Sequence, residues 1–322
     1  MKRCVVIAGV ALTTSVSLVS AQASSNCPSG VIVAQDACQK AVDLFQFVAP
    51  QLGGAITGGN ATLGQGGSLG GPGHFTVGVR VNAMRGSLPR VDDPNVRPVI
   101  TGAVPSSFPT SGTFVPVPVA DAAIGVFKGL PLGLTNVAGV DVLASASVVP
   151  DFEGNGVSVS TDNPIRFGFG ARISALQESL ITPGISITYL RRDLPSVSVS
   201  GNAGGSTLRL RSFDENTDAW RLVASKSLVA FGLAAGIGWD KYKASAVANA
   251  TSNGVTSSDV SISQSMTRGN MFADVSFNMP ILKFIVEIGQ VFGGDEPTTV
   301  NTFDGSVTDS RLYGSLGLRF SW

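Results

Sequence analysis

The chain has 322 residues, of which 43% are hydrophobic, 14% charged and 7% aromatic, with 22 Lys and Arg balancing 22 Asp and Glu and a mean hydropathy of +0.29. Soluble domains carry about 25% charged residues, so the composition points towards lipid, while the apolar content excludes a disordered chain and the balanced charge disfavours a nucleic-acid partner. Beyond the first twenty or so residues no run of about 18 apolar residues occurs, which excludes a helical membrane protein and leaves strands as the way to cross a bilayer.

At the amino terminus, Lys2 and Arg3 precede an apolar stretch softened by Ser and Thr and an Ala21-Gln22-Ala23 cleavage site. This pattern predicts a secretory signal peptide over 1–23. Two cysteines follow, Cys27 and Cys38, and in an exported chain they are most simply one intramolecular disulfide. A metal site would need more ligands than these and the single histidine, His74, so none is expected, nor is any cofactor.

Residues 31–49 carry the one helical pattern, with Ala34, Cys38, Ala41, Phe45 and Val48 on one face and Pro50 expected to end the run. Then come ten glycines among the 21 residues from Gly53 to Gly73, a composition that reads as flexible backbone. Neither a phosphate-binding loop nor a dinucleotide fingerprint passes through it. Residues 24–73 are therefore a helix and a tether, either folded into a barrel lumen as a plug or hanging as a periplasmic stub. The remainder, 74–322, is the barrel.

From Phe75 the apolar period becomes two. Phe75, Val77, Val79, Val81 and Ala83 oppose Thr76, Gly78, Arg80 and Asn82, and the same alternation returns around 165–174, 229–240, 271–279 and 282–292. These runs are about twice the length of sandwich strands and suit a tilted crossing of a bilayer, where an open sheet edge is not tolerated. The expected fold is an all-β antiparallel transmembrane barrel of ten strands (range 10–14) at 75–85, 119–128, 138–149, 164–175, 184–194, 216–225, 229–243, 267–279, 281–292 and 308–322. Segments 92–102 and 195–212 would supply the extra strands. Lys226-Ser227 and the break at Pro280 read as periplasmic turns, and 86–118, 150–163, 244–266 and 293–307 as extracellular loops; the prolines of the first loop, Pro116 and Pro118 included, argue against paired strands there.

The last eight residues, Ser315-Leu316-Gly317-Leu318-Arg319-Phe320-Ser321-Trp322, alternate perfectly and stop on an aromatic. This resembles the assembly signal of bacterial outer-membrane barrels. By that resemblance Ser315, Gly317, Phe320 and Trp322 would be read by the barrel assembly machinery, the location would be the bacterial outer membrane, and outer-membrane lipid would be a partner. The order of signal peptide, amino-terminal helix, Gly-rich stretch and barrel looks like the FadL-type transporters of hydrophobic compounds, although the Asn-Pro-Ala motif of their plug is absent. That resemblance implies a passive channel or transporter for small molecules, hydrophobic ones included; the competing reading is a non-conducting structural or surface-interaction barrel.

If the apolar faces meet lipid, Arg80, Arg166, Arg172, Arg192, Arg221, Arg311 and Arg319 point inward with Asp141, Asp240, Asp274 and Glu287. A lumen packed with salt bridges is expected ahead of an anion-attracting pore. An enzyme is not expected, because acyl transfer normally uses a His base and His74 sits away from the long loops.

Overall fold

The computed structural model describes residues 27, 32–91, 95–96, 105–149, 151–154, 157–161, 163–203 and 205–322. The expected signal peptide and most of segment 92–102 lie outside these. Among the described residues no helix is long and apolar enough to cross a membrane.

Ten antiparallel strands form the wall: β1 (Phe75–Pro89), β2 (Thr110–Phe127), β3 (Gly139–Val148), β4 (Ile165–Leu176), β5 (Gly184–Asp193), β6 (Ser206–Leu228), β7 (Phe231–Ser252), β8 (Val260–Asn278), β9 (Leu282–Phe292) and β10 (Arg311–Ser321). Each pairs with its chain neighbours, and β10 pairs back with β1 from Thr76↔Ser321 to Met84↔Tyr313, so the sheet is a closed ring. Phe75 and Trp322 exchange two backbone hydrogen bonds of 3.1 and 2.9 Å at the end of that pairing. Closure leaves no row of unpaired backbone groups facing lipid.

Four connections at one end are short: 128–138, 177–183, 229–230 and 279–281. The first of these holds a small hairpin of Leu130–Leu132 and Thr135–Val137; at the other end 90–109, 149–164, 194–205 and 293–310 are longer, and only 253–259 is as short. The turn after β6 falls at Val229-Ala230; Lys226 and Ser227, expected to turn, still belong to the strand.

Around the short-turn half the outward face is apolar. On β7 it shows Phe231, Leu233, Ile237 and Trp239, each about half exposed, and β9 and β10 add Phe284, Val286, Ile288, Leu316 and Leu318. Phe231 packs on Phe277 at 5.7 Å near the short turns, and Trp220 on Tyr189 at 5.0 Å beside Trp239 higher up. Eight residues separate Phe231 from Trp239, about 26 Å of strand and about 20 Å along the normal at a tilt near 40°. Immediately beyond the tryptophans the same face carries Asp218, Arg191 and Lys243, with a Lys243 Nζ–Asp218 Oδ2 ion pair at 3.2 Å. The belt therefore has an aromatic border at each edge and a charged limit above.

Beyond that limit three strands do not stop. β6, β7 and β8 run for 23, 22 and 19 residues, about twice what a crossing needs. Residues 244–266, expected to be a loop, are thus mostly paired strand, with a turn only between Ser252 and Val260. Alternation had marked lipid-facing strands by their apolar outer face. Above the belt the face exposed to water is polar (Ser245, Asn249, Thr251), and Ala244, Ala246, Ala248 and Ala250 are buried instead. Segment 195–212 likewise adds no strand to the ring. Val197–Ala203 folds back on the top of β6, and Val157–Thr161 and Phe152–Gly154 extend that sheet outward.

The first loop is also shorter than expected, since β1 and β2 pair up to Pro89↔Thr110 with Pro116 and Pro118 inside β2. Proline is tolerated there because β3 joins β2 only from Val119, leaving these residues on a one-sided stretch of strand.

The helix α1 spans Ile32–Thr57 and continues through Pro50, which was expected to end it. A proline inside a helix costs about 3 kcal/mol. Against that, Gln51 donates to the Phe47 carbonyl at 3.0 Å, and Ala49, Ala55 and Ile56 are buried where an unwound backbone would lack partners. Gly58, at φ +56°, supplies the left-handed residue that ends the helix. The Cys27–Cys38 disulfide is present, with a Cα–Cα distance of 6.1 Å, tying the stretch before α1 to its second turn.

Candidate functional site

Gly53 to Gly73, which reads as loose tether, is ordered. Its first five residues complete α1, and the next dozen are held by the wall through their backbone. Arg192 Nη1 donates to the Thr57 carbonyl (2.8 Å), Arg221 Nη2 and Nε to those of Gly58 (2.9 Å) and Gly59 (2.6 Å), and Arg80 Nη1 to that of Asn60 (2.6 Å). Arg319 Nη1 donates to the Leu63 carbonyl. The acids take the opposite role. Glu287 accepts from the Gly59 and Asn60 amides at 3.0 and 2.7 Å, and Asp274 Oδ2 accepts from the Gly64 amide at 2.9 Å and the Asn60 side chain at 2.8 Å. Ser225 Oγ accepts from the Gly66 amide and Asp141 from that of Leu69, at 2.9 and 3.1 Å.

These partners come from β1, β3, β5, β6, β8, β9 and β10, seven of the ten strands. A segment bonded to so much of the circumference lies inside it. Hydrogen bonds with one ionised partner are shorter and stronger than neutral ones, and a glycine-rich backbone exposes its amides and carbonyls for them. At Gly59 space matters: a Cβ there would lie 2.6 Å from the Glu287 carboxyl and the Tyr313 hydroxyl.

The same wall side chains also pair with one another. Arg80 and Arg192 share Asp121, at 2.8 and 3.2 Å; Arg172 meets Asp141 at 2.8 Å and Arg221 meets Asp240 at 2.6 Å. All seven of these residues are buried or nearly so. Between Thr62, Leu63, Arg80, Asp121 and Arg319 a cavity of about 20 Å³ remains, room for about one water.

Of the residues expected to line the lumen, Arg80, Arg172, Arg192, Arg221, Asp240, Asp274, Glu287 and Arg319 meet here. Arg311 is buried nearer the long-loop end, donating to Ser87 Oγ (2.9 Å) and the Ser306 carbonyl. Arg166 departs from the expectation: it lies one residue from the long-loop end of β4 and is exposed, beyond the reach of the lumen's contents. Asp121 and Arg268 were missed. Asp121 falls in a stretch of Ala and Val without clear alternation, and Arg268, which donates to the carbonyls of Val307, Thr308 and Asp309, is the second residue of the strand expected from 267 and lies well inside β8. Of the assembly-signal positions, Ser315 donates to Asn82 Oδ1 at 2.8 Å, Gly317 gives room for Leu63 and Arg80, Phe320 pairs with Val77, and Trp322 closes the ring. His74 is exposed at the short-turn end, where its carbonyl accepts from the Gly125 amide at 2.9 Å. Among the described residues no group of three or more His, Cys, Asp or Glu is placed to hold a metal ion.

The upper half of α1 meets a different surround. Phe45 packs edge-on to Phe213 at 5.6 Å, and Phe47 stacks on Phe303 at 4.2 Å. Asp43 accepts from the Val300 and Asn301 amides and the Asn301 side chain at 3.1, 2.8 and 2.7 Å. Phe303 belongs to a small sheet that joins Thr302–Phe303, Ser106–Phe108 and Asn95–Val96 from two loops.

Closed ring, apolar belt and filled interior together define a transmembrane β-barrel with an internal amino-terminal segment. No family model and no curated protein matches the chain. Among solved structures it is similar to the outer-membrane protease OmpT from Escherichia coli (7% identity, 78% of this chain, 97% of that one, TM-score 0.39) and to the translocator domain of autotransporter NalP from Neisseria meningitidis (9%, 91%, 100%, 0.42). It is also similar to the Pseudomonas putida toluene transporter TodX (12%, 77%, 88%, 0.30). The barrel assignment itself rests on this chain's own ring and belt.

Proposed function

We propose that the protein is a bacterial outer-membrane barrel, exported behind a cleaved signal peptide and assembled through its last strand, that acts as a gated passive channel or transporter for small molecules. In this reading it is closed at rest by residues 32–69. The observation that carries the proposal is the backbone grip on residues 57–69 from seven strands. These contacts to residues 57–69 are polar and reversible, as a movable stopper requires. The wall arginines are occupied by carboxylates and by the segment's carbonyls, so an open anion pore is disfavoured in the closed form. No catalytic role falls to His74.

The test is conductance of the mature protein in planar bilayers beside a variant lacking residues 24–73. The intact form should be silent and the truncated one should conduct. If the truncated barrel forms, by its heat-modifiable mobility, and stays silent, the channel reading fails. A non-conducting surface barrel then takes its place, a reading favoured by the paired strands that rise above the belt.

A further inference from the structure

The course of the amino-terminal segment through the barrel runs in one direction. Leu69, near the short turns, is bonded to Asp141 of β3, and Gly66 to Ser225, three residues before the end of β6. Residues 57–60 are held at mid-height by Arg192, Arg221, Arg80 and Glu287. Gln51 then exchanges hydrogen bonds with Ser87, two residues from the far end of β1, accepting from its amide at 2.8 Å and donating to its carbonyl at 3.1 Å. Phe45 is beside Phe213, in the part of β6 above the belt, and Asp43 binds Val300 and Asn301 in the connection after β9. Every contact towards the chain start lies nearer the long-loop end. A helix of 26 residues is about 39 Å long, enough to carry its first turn from mid-lumen past the belt.

The first two residues of α1 are accordingly exposed at the long-loop end. Ile32 and Val33 are 48% and 41% exposed, whereas Ala37, Cys38, Ala41 and Val42 pack in an apolar cluster with Val197, Leu208, Ala248 and Ile262, all from the strands above the belt. Cys27 is in that cluster, fixed by its disulfide to Cys38. In barrels of this kind short turns face the periplasm and long connections the outside.

We infer that the chain crosses the membrane once more than its ten strands do, inside its own lumen, so that Cys27 and the first turn of α1 lie on the outer side of the membrane. A further function follows: the barrel serves as the conduit and the anchor of its own amino-terminal segment, with the Cys27–Cys38 bridge buried among the strands above the belt. A plug that enters from the periplasm and ends in the lumen would put the same residues on the opposite side.

The test uses the full chain in cells, with its native disulfide, carrying Val33→Cys, and a membrane-impermeant maleimide as probe. Asn253→Cys in the turn after β7 and the fully exposed Val229→Cys in a short turn serve as outer and inner references. Residue 33 should label fully in intact cells, as residue 253 does, with no gain when the outer membrane is permeabilised. Labelling only after permeabilisation, as expected of residue 229, overturns the inference. A second measurement avoids the new thiol: an epitope inserted between Ser25 and Asn26 should bind antibody on intact cells, and binding confined to permeabilised cells overturns it equally. Neither readout depends on conductance, so failure of the channel reading and failure of this one are separate results.

Discussion

β7 is one unbroken strand with two opposite chemistries. From Phe231 to Trp239 its large apolar residues face outward and its inward positions are Gly, Ala and Asp240; from Tyr242 to Ala250 Tyr and Ala face inward, and the outward face carries Lys241, Lys243, Ser245 and Asn249 with one apolar residue, Val247. The backbone period does not change at the boundary. What changes is the solvent, and with it the side that must be apolar. Below the boundary the lumen's contents are held by charge-assisted hydrogen bonds, and above it α1 is held as in a soluble protein's core.

Three experiments would break or sharpen that contrast. The largest effect is expected from Ala248→Asp, fully buried on the inner face above the belt. A buried charge without a partner costs about 3–5 kcal/mol, and proteolysis should cut between 240 and 266 while the belt strands stay protected. Uniform protection would show that the upper region is not an apolar core. Next, Val275→Arg and Ser263→Arg share the outward face of β8, one in the belt and one above it. In urea unfolding from lipid vesicles the first should lose about 2–4 kcal/mol and the second less than about 0.5 kcal/mol; equal losses would erase the boundary.

The smallest effect concerns pH. Burial pushes the Asp43 carboxyl above its ordinary value, partly offset by hydrogen bonds from Asn301, Gln39 and Val300. A carboxyl that binds its proton more tightly folded than unfolded stabilises most at low pH, and that contribution fades as pH rises through the folded-state value. Protection of the 293–310 connection in hydrogen exchange should weaken slightly from pH 4 to pH 7, and Asp43→Asn should flatten the dependence. An unchanged slope in that variant would assign it elsewhere.

The belt was legible because lipid imposes a single rule on every strand it touches. Ten strands were legible, the clearest of them by alternation at 75–84, 165–174, 229–240, 271–279 and 282–292. The parts above the belt were not, since Ser245, Asn249 and Ser263 carry no apolar face and read as loop. Pro50 and the glycines after it misled for a related reason. Propensity describes a chain in water, whereas these residues sit where every backbone group needs a partner. The hydrogen-bonding role of Glu287 and Asp274 towards a backbone 210 or more positions away has no local signature.

The ring's closing contact joins the two barrel strands most distant in the chain, Thr76 meeting Ser321. Such a seam has the greatest loop entropy to overcome. Residues 60–63 touch both of its sides: Asn60 binds Arg80, only 20 positions on, and Leu63 binds Arg319, 256 positions away. The inner segment is thus a dowel across the joint. Once seated on β1 it offers β10 a ready partner, which lowers the entropic barrier to sealing the cylinder.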